Sequence, residues 1–149
     1  MIFEVPGKPT GKARARTFYN PKIGRVQSIT PKDTVSYENL VKMCYSASEG
    51  RREWFNKEPI TMYITAFFEI PKSTSKKDRA RMLSGELHPT KKPDADNIAK
   101  IVCDALNDVA YHDDTQIVRL IVDKRYTESA PRVTIGIYDY RCEENDARE

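Results

Sequence analysis

The sequence predicts a single α+β domain in which a mixed β-sheet packs against helices. Three observations carry this prediction. The chain has 149 residues, the size of one ordinary domain. Between Ile60 and Ile70, the apolar residues Ile60, Met62, Ile64, Ala66, Phe68 and Ile70 alternate with Thr61, Tyr63, Thr65 and Glu69, the pattern of a half-buried strand. Between Asp96 and Val109, Ile98, Ile101, Val102, Ala105, Leu106 and Val109 recur at three- and four-residue steps, forming the core-facing stripe of a helix.

The remaining elements follow in order. Ile2 to Val5 read as a short strand. Residues 6–31 read as a long basic loop, rich in Gly, Pro, Lys and Arg and carrying Phe18 and Tyr19. A loop that long in a small domain is usually functional or disordered. Thr30 as cap, Pro31 at the first helical position and Asp33 in the first turn mark a helix start. That helix is expected to reach Ser48 and stop at Gly50, with Val35, Leu40, Met43 and Ala47 among its apolar positions. Pro59 and Pro71 bracket the long strand. Ser75 to Ser84 form a short basic helix ended by Gly85, and Pro89 to Pro93 a loop. Gln116 to Tyr126 and Arg132 to Tyr138 read as strands joined by a turn at Thr127–Pro131. Residues 141–149 are expected to be a frayed acidic tail.

Composition narrows the function classes. An apolar content of 39% argues against disorder as the main state. No apolar run approaches the roughly 20 residues of a membrane span. The N-terminus lacks the charged start and apolar stretch of a signal peptide, so a cytoplasmic location is expected. Cys44, Cys103 and Cys142 are far apart, and neither His88 nor His112 sits near a cysteine. A zinc site or a disulfide framework is therefore not expected. Cys44 and Cys103 read as small buried hydrophobes.

The net charge is only +3, but it is segregated. Residues 1–32 hold seven Lys/Arg against one acid, and residues 71–92 hold seven against two. Residues 93–114 hold six Asp against Lys100 alone. Two basic segments around an acidic cluster point to a polyanionic partner and a cation site within it.

The acidic cluster has two halves. In Lys92-Pro93-Asp94-Ala95-Asp96-Asn97, two carboxylates lie two residues apart just before a helix. Pro93 biases Lys92 toward extended backbone, where residues i and i+2 point to one side. Two unit charges about 4 Å apart repel by about 4 kcal/mol at an effective dielectric of about 20. Such a pair calls for a cation, a shared proton or intervening water. Magnesium suits an all-oxygen site of this kind. Helix capping is the other reading of either residue. The second half, Tyr111-His112-Asp113-Asp114-Thr115-Gln116, lies at a helix-to-strand turn, where adjacent acids are commonly solvated loop residues. The expected helix is about 20 Å long at 1.5 Å per residue. Simple geometry leaves Asp114 at its far end. A looping connection, or a helix ending near Leu106, is needed to bring it back.

The stretch KPDADNIAKIVCDALNDVAYHDDTQIV resembles the signature of the RusA family of Holliday junction resolvases. The family pattern is Asp-x-Asp-Asn, a Lys four residues after the second Asp, an Asp-Ala-Leu, and then Asp-Asp-x-Gln. These match Asp94, Asp96 and Asn97; Lys100; Asp104-Ala105-Leu106; and Asp113-Asp114-Thr115-Gln116. The N-terminal VPGKPTGKARAR is also similar to the start of family members. The resemblance implies catalytic acids at Asp94, Asp96 and Asp114, with Asp113 as the alternative metal ligand, and Lys100 assisting. It also implies magnesium or manganese, a homodimer, and paired nicks in a four-way DNA junction.

The chemistry is compatible. A carboxylate-held divalent ion activates water and stabilises charge on a phosphodiester. Lys100 is positioned to meet a phosphate or a leaving oxygen, or else forms a helix ion pair with Asp96 and Asp104. Lys8, Lys12, Arg14, Arg16, Lys76, Lys77 and Lys92 are the expected DNA-contacting cations. Phe18 and Tyr19 are candidates to stack on a base, or are packing residues. Resolving a two-fold junction requires two cuts, which fits a two-fold dimer. The strands at Ile117–Val122 and Val133–Ile137 are the expected dimer surface. A non-catalytic nucleic-acid-binding module is the rival reading, but six acids facing a polyanion do not serve a pure binder. A metal-dependent nuclease acting on other DNA is a third.

Overall fold

The computed structural model of the protein describes residues 1–48 and 55–142. Strand β1 (Ile2–Pro6) pairs antiparallel with β6 (Arg132–Asp139), and β6 pairs antiparallel with β4 (Ile60–Glu69). Strand β4 pairs parallel with β5 (Ile117–Thr127), which completes a mixed sheet of order β1-β6-β4-β5. A parallel pair needs a crossover connection. Helices α2 (Lys76–Leu83) and α3 (Ala95–Leu106) supply it. With helix α1 (Lys32–Ala47), the architecture is the α+β domain expected from the sequence.

The long strand behaves as its alternation predicts. Ile60, Met62, Ile64, Ala66, Phe68 and Ile70 are all buried. Val133, Ile135 and Ile137 of β6 and Phe3 and Val5 of β1 extend the same buried face. Helices α1 and α3 pack on it and on each other. Tyr45 of α1 meets Phe3 edge to face, with ring centroids 5.6 Å apart, a favoured aromatic geometry. The other face carries the partly buried Tyr63, Phe67 and Tyr138, and Arg132 stacks over Phe67 at 4.3 Å. No helix of the described residues is long and apolar enough to cross a membrane.

Several elements depart from the sequence reading. The expected loop at residues 6–31 contains a β-hairpin, β2 (Arg16–Asn20) and β3 (Arg25–Ile29), as a separate two-stranded sheet. Its turn places Gly24 at a φ of +64°, which glycine adopts at no steric cost. Helix α1 starts one residue late: Pro31, not Thr30, takes the cap position, with no side-chain capping bond. Its buried face is Thr34, Tyr37, Val41 and Tyr45, while Val35 and Met43 are exposed. The rings of Tyr37 and Tyr45, two turns apart with Val41 between them, reach the core better than the exposed Val35 and Met43 chosen from hydropathy. Gly50 and the tail from Glu143 lie outside the described residues.

Helix α3 ends at Leu106 rather than Val109. Asn107 takes the cap position in extended conformation, and Asp108 follows with a φ of +56°. Asp is one of the few side chains tolerated there. Strand β6 lies inside the sheet between β1 and β4, so it offers no free edge for a dimer. The edge strands are β1 and β5, and β5 carries Val118, Leu120 and Ile121 among the exposed large hydrophobic side chains.

Candidate active site on helix α3

Helix α3 is fully committed on one side. Ile98, Ile101, Val102, Ala105 and Leu106 are completely buried. Their stripe fixes the helix rotation, and Asp96 and Lys100 are left on the exposed side. Asp94 is the N-cap residue, with φ −71° and ψ 150°, yet its carboxylate makes no capping bond. Asp94, Asp96 and Lys100 have no side-chain hydrogen bond or ion pair among the described residues. Capping is thus not the role of the Asp94 carboxylate, and the ion-pair reading of Lys100 does not hold. The positive end of the helix dipole favours two acids at this terminus but leaves their oxygens open to a ligand.

The basic N-terminal loop is tied down over this helix end. The Lys12 backbone N–H donates to Asn97 O at 2.8 Å. A Cβ on Gly11 would lie 2.9 Å from Pro93 Cβ and 3.0 Å from Asn97 Cβ, so only glycine permits this approach. The Lys92–Pro93 peptide bond is cis. Loop and helix together enclose an open depression of about 390 Å³, lined in part by Lys92, Asp94 and Asn97.

Lys12 does not stand where the sequence reading put it. Its ammonium bridges Glu38 of α1 and Asp104 of α3, the latter at 2.8 Å. Burial alone would lower its pKa, but the hydrogen bonds to Asp104 and Glu38 outweigh this and hold it above the ordinary 10.5. It is therefore occupied inside the protein rather than offered to DNA. Lys8, Arg14, Arg16, Lys76, Lys77 and Lys92 are exposed, and Phe18 is 44% exposed on β2.

The other acidic pair sits at the opposite end of α3. Tyr111 is completely buried, and its hydroxyl donates to Cys103 O at 2.8 Å, clamping the reversal after the helix. Burial pushes the Cys103 thiol up to about 11, so it is an inert packing group. Asp113 caps the short 3₁₀ turn Asp114–Gln116: its carboxylate accepts from Thr115 N at 2.9 Å. Gln116 Oε1 in return accepts from His112 N and Asp113 N, each at 3.0 Å. Hydrogen bonds from Thr115 hold the Asp113 carboxyl below its usual range. Asp114 is exposed, and its backbone N–H donates to Asn107 Oδ1 at 2.9 Å. Of the two adjacent acids, it is the Asp113 carboxylate that caps the turn.

Early termination of α3 does not return Asp114 to Asp94 and Asp96. The cap at Asn107 anchors it there, about 18 Å along the helix at 1.5 Å per residue. Among the described residues, no three Asp, Glu, His or Cys side chains form a metal-binding group. Sequence reasoning missed Gly11, Glu38 and Asn107. Gly11 had a local signal, a glycine within a basic loop, whereas Glu38 and Asn107 act through tertiary contacts.

The fold and site define a small α+β domain that presents unpaired carboxylates beside a basic loop. The family profile described as Endodeoxyribonuclease RusA matches residues 6–138. The chain belongs to this family of endodeoxyribonucleases. It is also similar to a Bacillus subtilis (strain 168) protein described as "Uncharacterized protein YqaN", at 37% identity over 137 residues, or 91% of this chain and 93% of that one.

Lys12 and its neighbours are expected to separate in experiment. Lys12→Met strands two half-buried carboxylates, and should cost about 1 kcal/mol, or about 3 °C in melting temperature. It should leave the salt dependence of DNA binding unchanged. Arg14→Ala with Arg16→Ala should leave stability unchanged and flatten the log–log salt slope by about 1.8. Because the Lys12 pKa is raised, its contribution is constant at neutral pH and is lost only as pH rises through the folded value above 10.5. Thermal melts and salt titrations read these effects; a flattened slope for Lys12→Met alone contradicts the assignment.

Proposed function

We propose that the protein is a metal-dependent endonuclease that resolves four-way DNA junctions by paired phosphodiester hydrolysis, in recombination and repair. The observation that carries this reading is the pair Asp94 and Asp96. Both are exposed, and neither carboxylate has a hydrogen bond or ion pair among the described residues, in a chain of the RusA endodeoxyribonuclease family. A non-catalytic DNA binder gains nothing from two unspent carboxylates within a basic surface, where they repel phosphate. A nuclease acting on other DNA substrates shares this site and is separated from the first reading only by substrate.

Two carboxylates with open oxygens fit magnesium, which is held by one or two carboxylates together with water and phosphate oxygens; manganese suits the same donors. Such an ion supplies a water activated near neutral pH and charge stabilisation on the phosphate. Asp94 and Asp96 would hold it. Lys100, one turn beyond Asp96 and without an ion pair among the described residues, would meet the scissile phosphate. Arg14 and Arg16 lead into the β2–β3 hairpin, whose exposed Phe18 and Tyr19 offer stacking surfaces to bases at an open junction centre. A DNA substrate is compatible with the expected cytoplasmic location.

Asp114 bears on the oligomer. It lies a helix length from Asp94 in its own chain, so its share in the same centre requires a second protomer. A two-fold dimer also provides the two centres that paired nicks need. The β5 edge, with Val118 and Leu120 exposed, is the candidate interface.

Asp94→Asn, Asp96→Asn and Asp114→Asn should each abolish junction cleavage while binding persists or tightens, as repulsion of phosphate falls. Asp113→Ala should instead lower stability through its lost cap and leave cleavage within a few-fold of wild type. Nicking assays on four-way junctions with magnesium read this. Near wild-type cleavage by Asp94→Asn or Asp96→Asn removes that residue from the site. In sedimentation, the free protein should be a dimer at micromolar concentration, and Val118→Lys with Leu120→Lys should dissociate it. A monomer both free and junction-bound contradicts paired incision and leaves a single-strand nicking enzyme.

A further inference from the structure

Next to the depression that holds Asp94 lies a second groove of about 430 Å³, which shares Pro9, Lys92 and Pro93 with it. Phosphodiester hydrolysis as proposed makes no use of it. Its floor is apolar: Phe68 at the end of β4 and Ile70 just beyond it are 6% and 4% exposed, and Pro93 and Pro131 line it as well. Its rim is cationic, with the exposed Lys8, Lys72 and Lys91 joining Lys92. Glu69 is the single acid among the lining residues. The Lys91 and Lys124 ammonium groups lie 5.8 and 5.3 Å from the Phe68 ring centroid, and Lys124 Nζ also donates to Lys91 O. The ring is thus held beneath positive charge at the edge of the groove.

An occupant of this groove must satisfy two demands. Part of it must be apolar and thin enough to lie between the lining prolines over an apolar floor. The rest must carry negative charge for four lysines. A nucleotide of a single strand meets both, since every base has a stacking face and every linkage a phosphate. The volume lies within the range of small-molecule sites. Paired, stacked duplex cannot present a base in this way, but a strand leaving a branch point can.

We propose that the groove is a nucleobase pocket, taking one unstacked base of the bound strand a short step from the scissile phosphate, with that nucleotide's phosphates among Lys8, Lys72, Lys91 and Lys92. This rests on the nuclease reading for its substrate. It adds that the protein reads the opened state of the branch rather than its backbone alone.

The test uses the full chain and a four-way junction in which one abasic nucleotide is moved stepwise through the strands at the crossover. Binding is measured without divalent metal. An abasic site at one strand position should weaken binding roughly tenfold, the scale of one lost base–aromatic stack, while its neighbours have little effect. Pro131→Trp, which fills the groove from its half-buried rim, should bind the intact junction as weakly as the wild type binds the abasic one, and should lose the position dependence. Circular dichroism checks its fold. The scan on the wild-type chain decides the proposal by itself if this variant does not fold. Equal binding at every abasic position overturns the pocket, even if Lys72→Glu with Lys91→Glu weakens binding, because the lysines then hold backbone alone. Cleavage by the wild type with magnesium is scored separately. A protein that cuts the junction but ignores every abasic site refutes the pocket alone. One that shows the dependence but never cuts refutes the nuclease reading alone, and one that binds no DNA refutes both.

Discussion

Five side chains of helix α3, Ile98, Ile101, Val102, Ala105 and Leu106, are wholly enclosed by the sheet and α1. Burying a large aliphatic side chain stabilises by about 1.5–3 kcal/mol. Rotating the helix by one residue step would expose several of them, at a cost on the order of 5–10 kcal/mol, comparable to the whole stability of a typical domain. The rotation of α3 is therefore not adjustable. With it is fixed the exposed position of Asp96 and Lys100, and the place of Asp94 at the helix mouth. Two acids that repel each other and are spent on no internal bond are held there by apolar burial elsewhere on the same helix.

The surroundings of the site hang on the same helix. The loop carrying Lys8 and Pro9 is pinned to α3 by the Lys12–Asn97 backbone bond and by the close approach that Gly11 allows. The Lys12 ammonium closes the junction of α1 and α3 through Glu38 and Asp104. One cation thus neutralises an acid of the cluster that plays no part at the helix mouth. It also sets the path of the chain that leads into the basic hairpin β2–β3. The floor of the neighbouring groove comes from β4, the best-buried strand, so both depressions are built on rigid elements.

Much of this was legible in the sequence, and the reasons differ by element. The strand at Ile60–Ile70 and the stripe of α3 were readable because their periodic apolar positions are the buried ones, with Thr61 buried besides and Val109 beyond the helix end. The motif acids were readable because Asp94, Asp96 and Lys100 fall in a fixed local spacing. The hairpin was hidden because Thr17 and Tyr19 alternate too briefly among glycine, proline and basic residues to stand out. The face of α1 was misjudged because Tyr37 and Tyr45 bury rings that hydropathy ranks below Met43 and Val35. The role of Lys12 was not local at all, whereas that of Asp113 was written in its capping-box spacing to Gln116 and was passed over. A lysine in a basic loop looks like a DNA contact until Glu38 and Asp104 arrive from two helices. Asp113 looks equivalent to Asp114 until Thr115 and Gln116 close a cap around it.

The separation of Asp114 from Asp94 along α3 is the point at which the proposed chemistry and the single chain part company, and the proposed second protomer would reconcile them. Mixing the inactive variants Asp94→Asn and Asp114→Asn tests this most directly. If each centre combines Asp94 of one protomer with Asp114 of the other, a mixed dimer holds one centre with both residues intact and one with both replaced. Nicking of a four-way junction by the equilibrated mixture should then return to about a quarter of the wild-type rate, since half the dimers are mixed and each carries one intact centre of two. A mixture as inactive as its components, with mixed dimers present, contradicts a centre shared between protomers.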